Sequence, residues 1–354
     1  MSTDDSGRPR NGTMPAAWLV AAALSLASCA ALAQKVPLVV YTSFADAQTR
    51  AYKEAFERAN PDVDIRWTNG NSPALTARLV AERAAPKADM VVGVAASLLM
   101  PLDADNMLLP FAPANLMAIA PRFRDPRHPP TYWWGVSLSG AAICFNAEEA
   151  KKQKLPKPAT WRDLAKPVYK GKIAMPSPQT SAVGSFYVSG WLKMYGEAAG
   201  WKFMDGLNDN VTGYTTQPDT PCQRAAAGEI VIGLSSDGAA QRAKIAGAPI
   251  EIVVPAGDVP WDLWTVAILK SSTHVEPAQR LGDWLSGKDA MEITARYYPL
   301  LSEPAPGPAT TPSLLPADYD KRLLKYDFLT VGKAHDAMQA EWKKRYGAKV
   351  EPVK

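Results

Sequence analysis

The chain has 354 residues with 39 Lys+Arg against 35 Asp+Glu, a net charge of +4, and 47% of its residues are hydrophobic. The charges are scattered singly with no polybasic block, which argues against a nucleic-acid partner. No apolar run reaches the roughly twenty residues of a membrane-spanning helix.

The longest apolar run is Trp18 to Ala31, rich in alanine, and it ends in the small-x-small sequence Ala31-Leu32-Ala33. This pattern predicts an export signal over residues 1–33, with Gln34 opening the mature chain and the periplasm as destination. Met14 is an alternative start, and Leu26-Ala27-Ser28-Cys29 also fits a lipoprotein signal with Cys29 lipidated. The leader carries two acids and two bases, so the mature 321 residues keep the charge of +4 and suffice for two lobes of about 150 residues each. Cys144 and Cys222 remain as an even pair in an oxidising compartment, which favours a disulfide over two buried thiols.

Past the leader, Val36 to Tyr41 reads as a short buried strand, Thr42-Ser43-Phe44 as a turn and Asp46 to Arg58 as a helix ended by Asn60-Pro61. Val63, Ile65 and Trp67 alternate with polar residues as a second strand. Asn69-Gly70-Asn71 is a turn. Ser72-Pro73 predicts a helix start with Ser72 as N-cap, followed by an apolar face of Leu75, Leu79 and Val80. Asp89 to Gly93 is a third strand. The β-α-β-α-β order predicts an α/β fold with right-handed crossovers and a parallel sheet, with ligands beyond the carboxyl ends of the strands. Those ends are Tyr41-Thr42-Ser43, Asn69 to Ser72 and Gly93 to Ser97.

Residues 121–131 read as irregular, and Tyr132 to Phe145 as an extended strand crossing between lobes. Asn146 to Glu149 and Thr160 to Asp163 resemble capping boxes that open helices. Gly171 to Met175 is a strand, leading through a small-residue loop into an apolar helix, Phe186 to Tyr195. Glu229 to Gly233 is a buried strand followed by Leu234-Ser-Ser-Asp237. Ile250 to Val254 and Thr265 to Leu269 are further strands, with Trp261 to Trp264 between them. Helices are expected over Pro277–Ser286, Ala290–Tyr297 and within Asp318–Tyr346, the last after a proline-rich connection from Ser302 to Pro316. The segment from about 136 to 264 reads as a second lobe inserted into the first.

The best anion candidate is Thr180-Ser181-Ala182-Val183-Gly184. Free N–H groups, the helix dipole and two hydroxyls meet there among residues small enough to let an anion approach. An ordinary N-cap with tight packing explains the same residues locally. Asp237 and Asp262 follow expected strand ends, so either can pair with a ligand ammonium, cap a helix or face solvent. Tyr41, Trp261 and Trp264 are possible apolar walls, although core packing is the usual role of such residues.

Enzyme signatures are mostly missing. His128, His274 and His335 are scattered outside any metal-binding spacing, and there is no P-loop or G-x-G-x-x-G. Gly135-Val-Ser-Leu-Ser-Gly140 departs from a nucleophile elbow, which would need glycine at 139. A secreted serine hydrolase acting through Ser137 or Ser139 is a distant alternative. Tyr297-Tyr298 precedes Pro299 and suggests packing more than a ferric site. The chain is therefore expected to be a monomeric non-enzyme with no metal and no cofactor.

Taken together, the leader, the Val-Tyr-Thr-Ser turn at 40–43, Glu54-Ala-Phe-Glu-Arg-Ala-Asn-Pro61, Ala88-Asp-Met-Val-Val-Gly93 and Ile143-Cys-Phe-Asn146 resemble the periplasmic solute-binding proteins of ABC importers. The resemblance continues through Trp161-Arg-Asp-Leu164, Tyr169-Lys-Gly-Lys-Ile173, Met175-Pro-Ser-Pro178, Ala225-Ala-Ala-Gly-Glu229, Gly247-Ala-Pro-Ile250 and the 318–346 tail. Within that group the chain is most similar to the 2-aminoethylphosphonate branch, whose relatives bind ferric iron and polyamines. That branch matches the Cys144/Cys222 pair and Trp261-Asp262-Leu263. The resemblance implies a two-lobed type II periplasmic binding protein fold, with lobe 1 over 34–135 and 266–354, lobe 2 over 136–265, and a ligand cleft between them. It also implies delivery of the solute to an inner-membrane permease with its ATPase.

The implied function is capture of a small anionic or zwitterionic solute, with an organophosphonate such as 2-aminoethylphosphonate first. A carboxylate or aromatic acid stacked on Trp264 is the alternative. Expected ligand contacts are Tyr41, Ser43, Phe44, Asn71, Ser72, Ser97, Thr180, Ser181, Ala182, Val183, Ser236, Asp237 and Asp262. Ferric relatives carry adjacent tyrosines near the position of Ser235-Ser236, where this chain has none. It departs from the phosphonate branch at Gly70-Asn71-Ser72-Pro73, at Ser235 to Ala239 and at Trp264, all in expected cleft loops, so the solute itself stays open.

Overall fold

A computed structural model describes residues 35–127, 129–303 and 313–352. The expected export segment with Cys29, His128 and part of the proline-rich connection lie outside the described residues. The first half contains β1 (Val36–Thr42), α1 (Asp46–Ala59), β2 (Val63–Asn69), α2 (Ser72–Ala81), β3 (Met90–Ala95), α3 (Ala96–Ala104), β4 (Leu108–Leu109) and the long β5 (Trp134–Phe145). There follow α4 (Ala147–Lys152), β6 (Ile173–Pro176), α5 (Ala182–Tyr195), α6 (Glu197–Asn210), β7 (Val211–Thr215), α7 (Thr220–Ala226), β8 (Ile232–Ser236), α8 (Asp237–Ile245) and β9 (Glu251–Val253). The chain then returns through β10 (Trp261–Leu269), α9 (Val275–Leu285), α10 (Lys288–Thr294), β11 (Leu300–Leu301) and α11 (Phe328–Tyr346).

The strands form one curled mixed sheet in the order β2-β1-β3-β10-β5-β8-β6-β7. β1 lies parallel to both β2 and β3, as alternating strand and helix require. β10 enters antiparallel between β3 and β5. All twelve residues of β5 are buried, and the strand changes partners midway. Trp134 to Gly140 pair with β10, whereas Ala141 to Phe145 pair with β8 and β9. Two hydrophobic cores follow from this exchange. One gathers Tyr52, Phe56, Leu99 and Trp134, and the other gathers Trp161, Tyr187, Trp191 and Trp342. Cys144 on β5 and Cys222 on α7 form a disulfide with a Cα–Cα distance of 5.2 Å, packed among Ala174, Ala225 and Ile250.

Local chemistry corrects several expectations. Asn71, not Ser72, is the N-cap of α2: its side chain accepts the Ala74 N–H at 2.9 Å, and Ser72 lies inside the helix. Val80 is 48% exposed and leaves the apolar face to Leu75 and Leu79. The Thr160 box closes only a 3₁₀ turn, Trp161–Ala165, with the Asp163 carboxylate accepting from the backbone of Ala159 and Thr160. Pro167 ends any longer helix there. β8 runs three residues later than expected, through Gly233 to Ser236. Gly233 is a close-approach position rather than a strand end, because a Cβ there would sit 2.2 Å from the Pro221 carbonyl. Trp261 to Trp264 are not a connection but the first part of β10, which is buried throughout and therefore lacks polar alternation.

Candidate functional site

Three strand-to-helix junctions of the first half meet at one sheet edge. Thr42 Oγ1 accepts the Phe44 N–H at 3.1 Å and closes the β1–α1 turn. Ser43 donates to the Gly93 carbonyl, and Ser72 donates to Ser43 Oγ at 3.1 Å while accepting the Ala95 N–H at 3.2 Å. The Asn69 side-chain amide donates to Asp46. The polar groups of this wall are thus largely spent on one another. Beside them stand three rings, Phe44 and Tyr298 at 5.7 Å and Trp264 and Tyr298 at 6.3 Å. Trp264 is 8% exposed, and its indole N–H has no hydrogen-bond partner.

The opposing wall belongs to the second half. After β6, the Thr180 and Ser181 amides donate to the Ser177 carbonyl, and Ser181 caps α5 by accepting the Val183 N–H at 3.2 Å. Ala182 and Gly184 begin the helix, where amides have no carbonyl four residues back within it. Thr180 Oγ1 is also without a partner. Gly184 serves packing: a Cβ there would lie 2.6 Å from backbone atoms of Pro176, Ser177 and Pro178. Ser236 caps α8 through the Ala239 N–H. One turn on, Arg242 donates to Asp219 Oδ2 and to the Tyr297 carbonyl, both at 3.0 Å, so its guanidinium reaches across to the first half.

Between the two walls lies a cleft of about 430 Å³. It brings together the predicted Ser43, Phe44, Asn71, Ser72, Thr180, Ser181, Ala182, Val183 and Ser236, along with Trp264. It also includes Arg242, Asp219, Gln217 and Tyr298, which sequence reasoning did not assign to a ligand. Ser139 also lines the cleft, and no histidine is among the described lining residues. A second cavity of about 320 Å³ opens between the α2–β3 connection and the end of β10, near Lys87, Met107 and Lys270, and contains none of these residues.

Four predicted contacts stand outside the lining. Tyr41 is buried, and its hydroxyl donates to Glu82 at 2.7 Å; burial first, then Glu82, pushes the phenol up to about 12. Ser97 and Asp262 are bound to each other, with the Ser97 and Leu263 amides also donating to the carboxylate. Asp237 accepts from Ser139 Oγ, the Gly238 N–H and the Tyr319 hydroxyl. Both aspartates are fully buried, and desolvation pushes each up to about 6 despite these donors. Their carboxylates are engaged with these protein donors.

Residues 85–328 match the family model described as bacterial extracellular solute-binding protein. The chain belongs to this family. A protein of Haemophilus influenzae is 27% identical over 323 residues, covering 89% of this chain and 90% of that one. The Fe(3+)-binding periplasmic protein of Serratia marcescens is 25% identical over 288 residues, covering 79% and 82%. Among solved structures, AfuA from Actinobacillus pleuropneumoniae with fructose-6-phosphate bound superposes with a TM-score of 0.81 at 25% identity, covering 89% of this chain and 99% of that one. The fold is that of the type II periplasmic binding proteins. Among the described residues, no helix is long and apolar enough to cross a membrane.

Proposed function

We propose that this solute-binding protein works in the periplasm as the capture component of an ABC importer, and that its solute is a small phosphonate or phosphate monoester. Its two lobes are taken as 34–135 with 266–354, and 136–265. The observation that carries the ligand class is the second wall. The start of α5, Thr180 and Arg242 line one cleft, where the helix start offers amide donors and the positive end of its dipole, and Arg242, bound to Asp219 and to the Tyr297 carbonyl, adds a guanidinium. AfuA, with a sugar phosphate in its structure, supports the class. The aminoethyl end of 2-aminoethylphosphonate is less well served, because Asp237 and Asp262 are turned into the walls. The acids that do line the cleft, Asp46 and Asp219, are engaged with Asn69 and Arg242.

The test is a thermal-shift and calorimetric panel on the mature protein, with methylphosphonate, 2-aminoethylphosphonate, propyl phosphate, benzoate, ferric citrate and spermidine. Ligand excess of about a hundredfold over Kd stabilises by about 2.7 kcal/mol. The reading stands if phosphoryl or phosphonyl compounds raise the melting point. It fails if only the carboxylate, the iron complex or the polyamine does.

A further inference from the structure

We infer, resting on the anion reading above, that the solute carries its phosphoryl or phosphonyl group on a flat unsaturated ring, stacked in the recess of Trp264, Tyr298 and Phe44. Three observations lead there. The part of the cleft opposite the anion donors is aromatic: Tyr298 lies within stacking range of both other rings. Trp264 lines the cleft, is only 8% exposed and keeps its indole N–H unpartnered, so the face it presents there is the apolar ring and not a hydrogen-bonded group. The remaining polar groups of that wall do not suit the other obvious bodies. A sugar needs free hydroxyl partners, yet Ser43 and Ser72 are already bonded to each other and to the Gly93 and Ala95 backbone. An ammonium needs a free carboxylate, yet the nearby acids are paired. A cleft of about 430 Å³ is ample for one ring and one phosphoryl group.

The experiment is isothermal titration of the mature protein with phenyl phosphate, phenylphosphonate, propyl phosphate, propylphosphonate and glucose 6-phosphate. It is repeated on Trp264→Leu and on Tyr298→Leu, each checked for an unaltered cooperative melt. Phenyl compounds should bind about fivefold to tenfold tighter than their propyl counterparts. Each substitution should shrink that preference to about twofold, and the second variant decides if the first does not fold. Equal affinity for phenyl and propyl compounds overturns the ring inference and leaves the anion reading intact, as does tighter binding of the sugar phosphate. An aryl preference unmoved by either substitution overturns the assignment to this recess. If no phosphoryl compound binds, the anion reading falls and the inference falls with it.

Discussion

The two walls of the cleft are built from the same kind of part, a strand running into a helix start, yet they end in opposite chemical states. In the first wall, Ser43, Ser72, Asn69 and Asn71 make their hydrogen bonds to neighbouring junctions or to their own helix. In the second, the first turn of α5 has amides without carbonyl partners inside the helix, and Arg242, bound to Asp219, lines the same cleft. The first wall therefore offers shape and the second offers hydrogen-bond donors. Hydroxyl-rich loops are poor guides to ligand contacts unless the partner of each hydroxyl is known.

The second wall is also the stapled one, and the largest expected effect lies there. Replacing both Cys144 and Cys222 by serine should cost about 3–5 kcal/mol, read as a lower denaturation midpoint, since the bond closes a separation of 78 residues. Next comes Arg242→Ala. Loss of a charge-assisted contact predicts a tenfold to hundredfold weaker Kd for a phosphoryl ligand, measured by calorimetry. Affinity unchanged by this substitution would remove the distinction between the walls. Gly184→Ala should cost about 1–3 kcal/mol in chemical denaturation, because its Cβ meets backbone atoms of the 176–178 turn.

A pH series separates the buried acids from those in the cleft. In the unfolded chain Asp262 ionises near the usual carboxylate value of about 3.9, while in the folded chain it is pushed up to about 6. Between these values the unfolded state has fewer protons, so stability from this group falls as pH rises from about 4 to about 6 and is level above. Asp262→Asn should gain on the wild type across that window, by on the order of 1–2 kcal/mol, in denaturation curves collected at several pH values. The smallest effect is expected from Ser43→Ala, about threefold or less in affinity, because that hydroxyl is already committed to the Gly93 carbonyl. A large loss there would overturn the description of the first wall as spent.

Much of the fold was legible. β1, α1, β2 and β3 carry clear periodicity and breakers, the Asn146 cap closes α4 as its spacing requires, and the long apolar run after Tyr132 is the strand that passes from one half of the sheet to the other. β10 and β8 were harder. A strand buried on both faces loses the alternation that marks its register, and Gly233 looked like a terminator although it answers to a crowding carbonyl on α7. At the site, the helix start at 180–184 announced itself through small residues and hydroxyls. Arg242 did not, since one guanidinium among 39 Lys+Arg has no local mark. It reaches the cleft only because α8 packs beside Tyr297.

Local order and composition were thus enough to determine the α/β alternation, the strand-to-helix junctions and the family resemblance, because periodicity, caps and breakers act within a few residues. Only the tertiary structure decided which polar groups remain free for a solute. Ser97 finds Asp262 across 165 residues and Ser139 finds Asp237 across 98. A carboxylate or hydroxyl becomes a wall or a contact according to such distant pairings, which no local pattern encodes.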